Sequence, residues 1–201
     1  MLHGTAIALG AGVCAWVAYM ALVAKPIVLF SWHPVCFTLA YLLTTPSALL
    51  AMSSRRAEAN FAKRSGLLEW HVYMQTATVL LMVAGFGAIY VNKERNGWPH
   101  FQTTHSLVGC AAVGGYLLNY VGGVLKRGQK NPKDLPHRIA GAISFLLSGA
   151  ALCLGFYSGG WGKTNFGPTG QLAACILIGL MHVATVVRML STPAAAATKD
   201  E

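Results

Sequence analysis

The chain has 201 residues, of which 55% are hydrophobic and 10% charged, with a formal charge of +9. A soluble domain carries about 25% charged residues, so this chain has too little charge to face water as a globule and reads as an integral membrane protein. The positive charge does not indicate nucleic acid: the bases sit in short stretches between apolar runs, without interleaved aromatics, as loops at a membrane surface would carry them.

A hydrocarbon core of roughly 30 Å needs about 20 apolar residues in helical form. Six segments meet that length, at residues 4–24, 27–52, 67–91, 104–125, 137–158 and 170–190. The first lacks a basic leader, and its apolar run exceeds the roughly 7–15 residues of a signal-peptide core, so it is predicted to be a retained helix. Lys25-Pro26 then turns the chain into the second. Residues 53–66, 92–103, 126–136 and 159–169 are expected as loops and 191–201 as a disordered tail. The predicted class is all-α, a single six-helix domain over residues 1–190, with helices two to five forming a four-helix bundle.

With six spans, both termini share a side with the second–third and fourth–fifth loops. Eleven of the 15 Lys and Arg residues fall there, Lys126, Lys130, Lys133 and Lys199 among them; Lys25, Lys93, Arg95 and Lys163 are the other four. Positive charge marks the cytoplasmic side, so both termini are expected to be cytoplasmic. Trp32, Trp70, Trp98 and Trp161 fall near the expected surfaces, as an aromatic belt would.

His33, His71, His105 and His137 stand near the N-terminal ends of helices two, three, four and five. Because alternate helices run in opposite directions, His33 and His105 share the non-cytoplasmic half and His71 and His137 the cytoplasmic half. A lone membrane histidine can serve simply as a hydrogen-bonding group between helices. Two layered pairs suit a cofactor better: neutral imidazole ligates iron, and a bundle core brings facing side chains to one cofactor. Two axial histidines would clamp one haem, and two pairs two haems, with irons roughly 20 Å apart across the core. Gly109 and Gly141 follow His105 and His137 by four residues, on the same helix face, where a missing side chain leaves room for a flat macrocycle. His182 has no partner in this scheme and reads as a packing residue; His3 reads as terminal and free. The five cysteines lie inside apolar runs without a C-x-x-C pair and read as small buried apolar residues.

Ser31-Trp32-His33-Pro34 resembles the start of the second helix in cytochrome b561 proteins, especially their small domain-containing type 2 members. Asn92-Lys93-Glu94 with His100, then Thr104-His105-Ser106 with Gly109, resembles that family's third loop and fourth helix, and His137-Arg138 with Gly141 its fifth. The resemblance runs over roughly residues 10 to 190. It implies two haem b groups with bis-histidine ligation, His33 with His105 and His71 with His137. It also implies electron transfer from cytoplasmic ascorbate to ferric iron or monodehydroascorbate, in an endoplasmic reticulum or vesicle membrane. Ascorbate-using members often carry a base within a turn before the third-helix histidine; Glu69 stands there in this chain.

A basic cytoplasmic rim would draw an anionic donor, and Arg138, next to His137, is its leading candidate. On the other face, His100 could bind ferric iron or pass a proton, with Lys93 steering an anionic chelate. Membrane lipid is an expected partner, nucleic acid is not, and a homodimer is left open. Two other readings stand beside electron transfer. One is a histidine-based proton or metal transporter, which would need a polar path between the layers; the mid-helix stretches contain no acidic residue. The other is a haem-anchoring subunit of a larger complex.

Overall fold

The structure is a computed structural model that describes residues 2–127 and 134–193. Expectations for Lys130, Lys133, the His3 side chain and the tail from residue 194 lie outside the described residues. Among these residues the chain is helical without strands, and six helices are long and apolar enough to cross a membrane. In a bilayer each backbone N–H and C=O must be paired within its own segment, which leaves the helix as the way to span.

α1 (Leu2–Ala18) ends in a π turn, Tyr19–Val23. The second span is one rod built from α2 (Trp32–Leu39), a π turn (Ala40–Thr44) and α3 (Thr45–Ala57). Pro46 lies in the first turn of α3 and has no N–H for the Leu42 carbonyl four residues back, so the ladder widens there. That carbonyl is pressed against α1 at Gly10, where any Cβ would collide with it.

α4 (Phe61–Arg95) is far longer than its apolar stretch. The expected loop over residues 53–66 shrinks to three residues, because α3 runs to Ala57 and Asn60 caps α4, its Oδ1 accepting from Lys63 N at 3.0 Å. At the other end α4 continues through Lys93 and Arg95, so both bases belong to its last turn rather than to a loop. α5 (Thr104–Lys126) starts at a capping box in which Thr103 Oγ1 accepts from Ser106 N at 3.1 Å. α6 (Asp134–Tyr157) follows. α7 (Gly160–Ser191) begins inside the stretch expected as a loop and kinks at Gly167 (φ 62°, ψ 171°) ahead of Pro168. A positive φ followed by proline is a conformation that glycine adopts freely.

α4 packs on α2 and α3, α5 on α6, and α6 on α7, whereas the consecutive helices α4 and α5 hardly touch. The bundle is therefore two slabs with a cleft between α4 and α5, closed at the back by α1 and α7. Trp32 and Trp98 are exposed near helix ends and Trp70 is exposed well inside α4, while Trp161 is half-buried against Phe166.

Candidate functional site

His33 is the second residue of α2 and His105 the second of α5. The two helices enter the bundle from the same face on opposite sides of the cleft. Their imidazole centroids stand 6.0 Å apart with the planes at 89°. His33 Nδ1–H donates to the Gly85 carbonyl of α4 at 3.2 Å, and His105 Nδ1–H to the Ala151 carbonyl of α6 at 2.9 Å. A carbonyl can only accept, so each bond places the proton on Nδ1 and leaves the Nε2 lone pair for a metal. Such outer hydrogen bonds also orient a metal-ligating histidine.

The two rings face a cavity of about 870 Å³ whose wall includes Phe37, Tyr41, Phe86 and Gly109. Binding pockets of roughly 300–1,000 Å³ bury a cofactor-sized ligand. A Cβ on Gly109 would meet nothing within 4 Å, so that wall is held open. Two imidazoles whose Nδ1 atoms are bonded outward, beside a largely apolar cleft, fit a haem.

The second layer lies at the other face. His71 Nδ1–H of α4 donates to the Ala48 carbonyl of α3 at 3.0 Å, and next to it Trp70 Nε1–H donates to Ser47 Oγ at 2.9 Å. His137 belongs to α6, on the other side of the cleft from His71 of α4. It lies against Gly123 of α5, where a Cβ would come within 3.0 Å of its Cε1. Gly141 differs from its expected part: a Cβ there would stand 3.0 Å from Asn119 Nδ2. Its space is taken by a side chain from α5, because α5 and α6 pack closely along their length.

At the mouth of the cavity His100 and Lys93 come together in the wall. His100 is half-buried, stacked on Tyr90 at 4.5 Å and 24°, with Nε2 bonded to Glu94 Oε1 at 2.7 Å. Lys93 Nζ donates to the Pro99 carbonyl at 2.9 Å. Phe101 has φ 56°, a left-handed conformation uncommon for a bulky residue, which holds the turn under the cavity rim.

At the opposite face Arg138 Nη2 donates to the Met189 carbonyl in the last turn of α7 at 2.7 Å. Arg127 Nη2 donates to both oxygens of Glu69, at 2.7 and 2.9 Å. The acid that stands where a base was expected therefore engages one of the rim's own bases across the cleft. His182 is the packing residue it was expected to be: 2% exposed, stacked on Phe145 at 4.1 Å, with Nδ1 bonded to the Ile178 carbonyl.

Sequence reasoning missed the carbonyls of Gly85, Ala48 and Ala151, and the glycines under the α5 and α6 histidines. It also missed a hydroxyl seam between the layers. Thr44 and Thr78 hydroxyls lie 2.6 Å apart, Thr45 reaches Tyr116 at 3.3 Å, and Thr76 reaches Tyr120 at 3.0 Å. Tyr41 is 2% exposed and its hydroxyl has no partner among the described residues. The threonines and tyrosines inside apolar runs were the available signal. Among the described residues no group of three or more His, Cys, Asp or Glu could hold a bare metal ion.

Comparison with known families matches residues 32–162 to the family described as eukaryotic cytochrome b561. The chain is 34% identical over 151 residues to transmembrane reductase CYB561D2 of Bos taurus and 33% identical to that of Homo sapiens; each match covers 70% of this chain and 67% of the relative. It is 30% identical over 137 residues to probable transmembrane reductase CYB561D1 of Mus musculus, covering 65% of this chain and 60% of the relative.

Proposed function

The chain belongs to the eukaryotic cytochrome b561 family, and from that premise we propose that it carries electrons from cytoplasmic ascorbate, by way of two b-type haems, to ferric iron or monodehydroascorbate on the opposite side. At the level of the family it is a multi-pass transmembrane oxidoreductase that binds b-type haem. The bis-histidine sites, the substrates and the sidedness are our reading.

The observation that carries the reading is the tethering of imidazoles in two layers. His33 and His105 would hold one haem and His71 and His137 the other, with the Nδ1 protons of His33, His105 and His71 committed to backbone carbonyls. When bound, haem supplies a one-electron iron couple whose potential follows its axial ligands, their hydrogen bonds and burial. The carbonyl bonds raise imidazole basicity and keep each ring from turning. The apolar walls of the cleft exclude water from the cofactor edges. Gly109 keeps the wall beside His105 flat.

Each rim would select its own substrate. On the His105 side, Lys93 would attract an anionic iron chelate and His100, braced by Tyr90 and Glu94, would exchange a proton or coordinate the metal. On the His71 side, the basic rim would gather ascorbate, with Arg138 beside His137 as its inner member. The positive-charge bias supports placing this rim and both termini in the cytoplasm; by its resemblance to the family, we assign the protein to an endoplasmic reticulum or vesicle membrane.

Reduced-minus-oxidised spectra of the purified protein, with haem quantified against protein, test the reading. Ascorbate is expected to reduce two haems per chain. His33→Ala and His105→Ala are expected to remove the same haem, and His71→Ala and His137→Ala the other. A folded colourless protein, or one substitution that strips a ligand from both haems, would overturn it.

A further inference from the structure

Cys153 of α6 and Cys175 of α7 face one another. Cys153 Sγ–H points to the Cys175 carbonyl at 3.8 Å, and Cys175 Sγ–H to the Cys153 carbonyl at 3.7 Å. The reciprocity means that the two residues stand opposite in register on antiparallel helices. Both thiols are free and half-buried. A disulfide needs Cα atoms roughly 4.4–6.8 Å apart and Cβ vectors that converge; side chains that each reach the other residue's carbonyl lie on the facing sides of the two helices, as that closure requires.

The position of this pair gives it a consequence. Cys153 lies between Ala151, whose carbonyl receives the His105 Nδ1–H, and Gly155, on which the same ring rests, a Cβ there standing 3.1 Å from His105 Cε1. A covalent tie at Cys153 therefore restrains the segment of α6 that seats His105.

We propose that Cys153 and Cys175 are a redox-modifiable dithiol whose closure locks α6 to α7 and alters the seat of the His105 imidazole. In the reaction two S–H bonds break and one S–S bond forms. The two thiols lose two electrons and two protons, which hydrogen peroxide takes up as its O–O bond breaks to give two waters. Thiol reductants reverse it. On the sidedness proposed above, the pair lies in the non-cytoplasmic half of the bilayer, next to a compartment of the kind in which disulfides persist; the effect on haem likewise rests on the proposed role of His105.

The test uses the full chain with its haem, in detergent, treated with hydrogen peroxide or the membrane-permeable oxidant diamide. A digest is expected to yield a Cys153–Cys175 cross-linked peptide, lighter by two hydrogen atoms than the reduced pair, lost on reduction and missing from Cys153→Ser and Cys175→Ser. The low-spin EPR signal that His105→Ala removes is expected to shift on oxidation of the wild type and to stay in place in Cys153→Ser. If both thiols remain fully alkylatable after oxidation, the dithiol is refuted. If the cross-link forms while the EPR signal does not move, the coupling to His105 is refuted. Haem-free protein that still cross-links would instead count against the haem reading and leave the dithiol standing.

Discussion

His105 rests on Gly155, and the same relationship recurs upside down as His137 on Gly123: a Cβ would stand 3.1 Å from Cε1 in the first pair and 3.0 Å in the second. Each helix carries its glycine 18 residues after its histidine, 105 to 123 on α5 and 137 to 155 on α6. Eighteen residues are about five turns, so histidine and glycine share a face. Antiparallel packing then sets each imidazole on the other helix's glycine.

This clasp predicts layer-specific damage. Forcing a methyl group into a packed contact costs about 1–3 kcal/mol. Gly155→Ala is expected to weaken or shift only the haem proposed on His105, and Gly123→Ala only the haem proposed on His137. Redox titration followed by optical spectra would resolve the two. Equal loss of both haems in either variant would contradict the pairing.

Gly109 is a different kind of glycine, with open space where its Cβ would be. Gly109→Leu would project into the cavity rather than into a neighbouring helix. The expected product folds and inserts normally but carries one haem per chain. Two haems, at unchanged potentials, would show that this wall does not border the cofactor.

The Glu69–Arg127 pair spans the cleft at the proposed donor face, with side chains 40% and 52% exposed. An exposed pair contributes about 0–1 kcal/mol to stability, so its importance is electrostatic. Glu69→Gln would remove a negative charge and release Arg127 toward an anionic donor. Reduction by ascorbate is expected to quicken several-fold at low ionic strength. The gain should fade near 0.1 M salt, where the Debye length is about 10 Å. Stopped-flow rates at two salt concentrations would check it, and equal rates at low salt would exclude a role for the pair in donor attraction.

At the other face, Lys93→Ala is expected to slow reoxidation of the reduced protein by an anionic ferric chelate several-fold, with little change for a neutral acceptor, because removing a rim charge acts on encounter. Matched slowing with both acceptors would point to structural damage. His100→Ala should slow reoxidation by the ferric chelate more than by the neutral acceptor.

The buried tyrosines make opposite predictions. Tyr41 leaves its hydroxyl without a partner among the described residues, whereas Tyr116 shares a hydrogen bond with Thr45. An unsatisfied buried polar group costs about 1–3 kcal/mol, and a typical hydrogen bond contributes about 0.5–1.5 kcal/mol. Thermal unfolding in detergent should therefore find Tyr41→Phe as stable as wild type or more so, and Tyr116→Phe less stable.

The amino-acid sequence by itself determined the six spans and the order of the four helix histidines. Bilayer thickness imposes a length on every apolar run, and alternation of direction then assigns each histidine a depth, so both features are local and countable. The tertiary structure decided the rest. It alone selects the carbonyls of Gly85, Ala48 and Ala151 for the imidazoles, gives the space at Gly141 to Asn119, draws Glu69 to Arg127 and brings Cys153 to Cys175. It also carries α4 past its apolar stretch, because a helix goes on pairing its own backbone wherever no proline or cap stops it. These partners lie far apart along the chain and are set by the rotation and crossing of packed helices, a relation between surfaces that no local period of the sequence encodes.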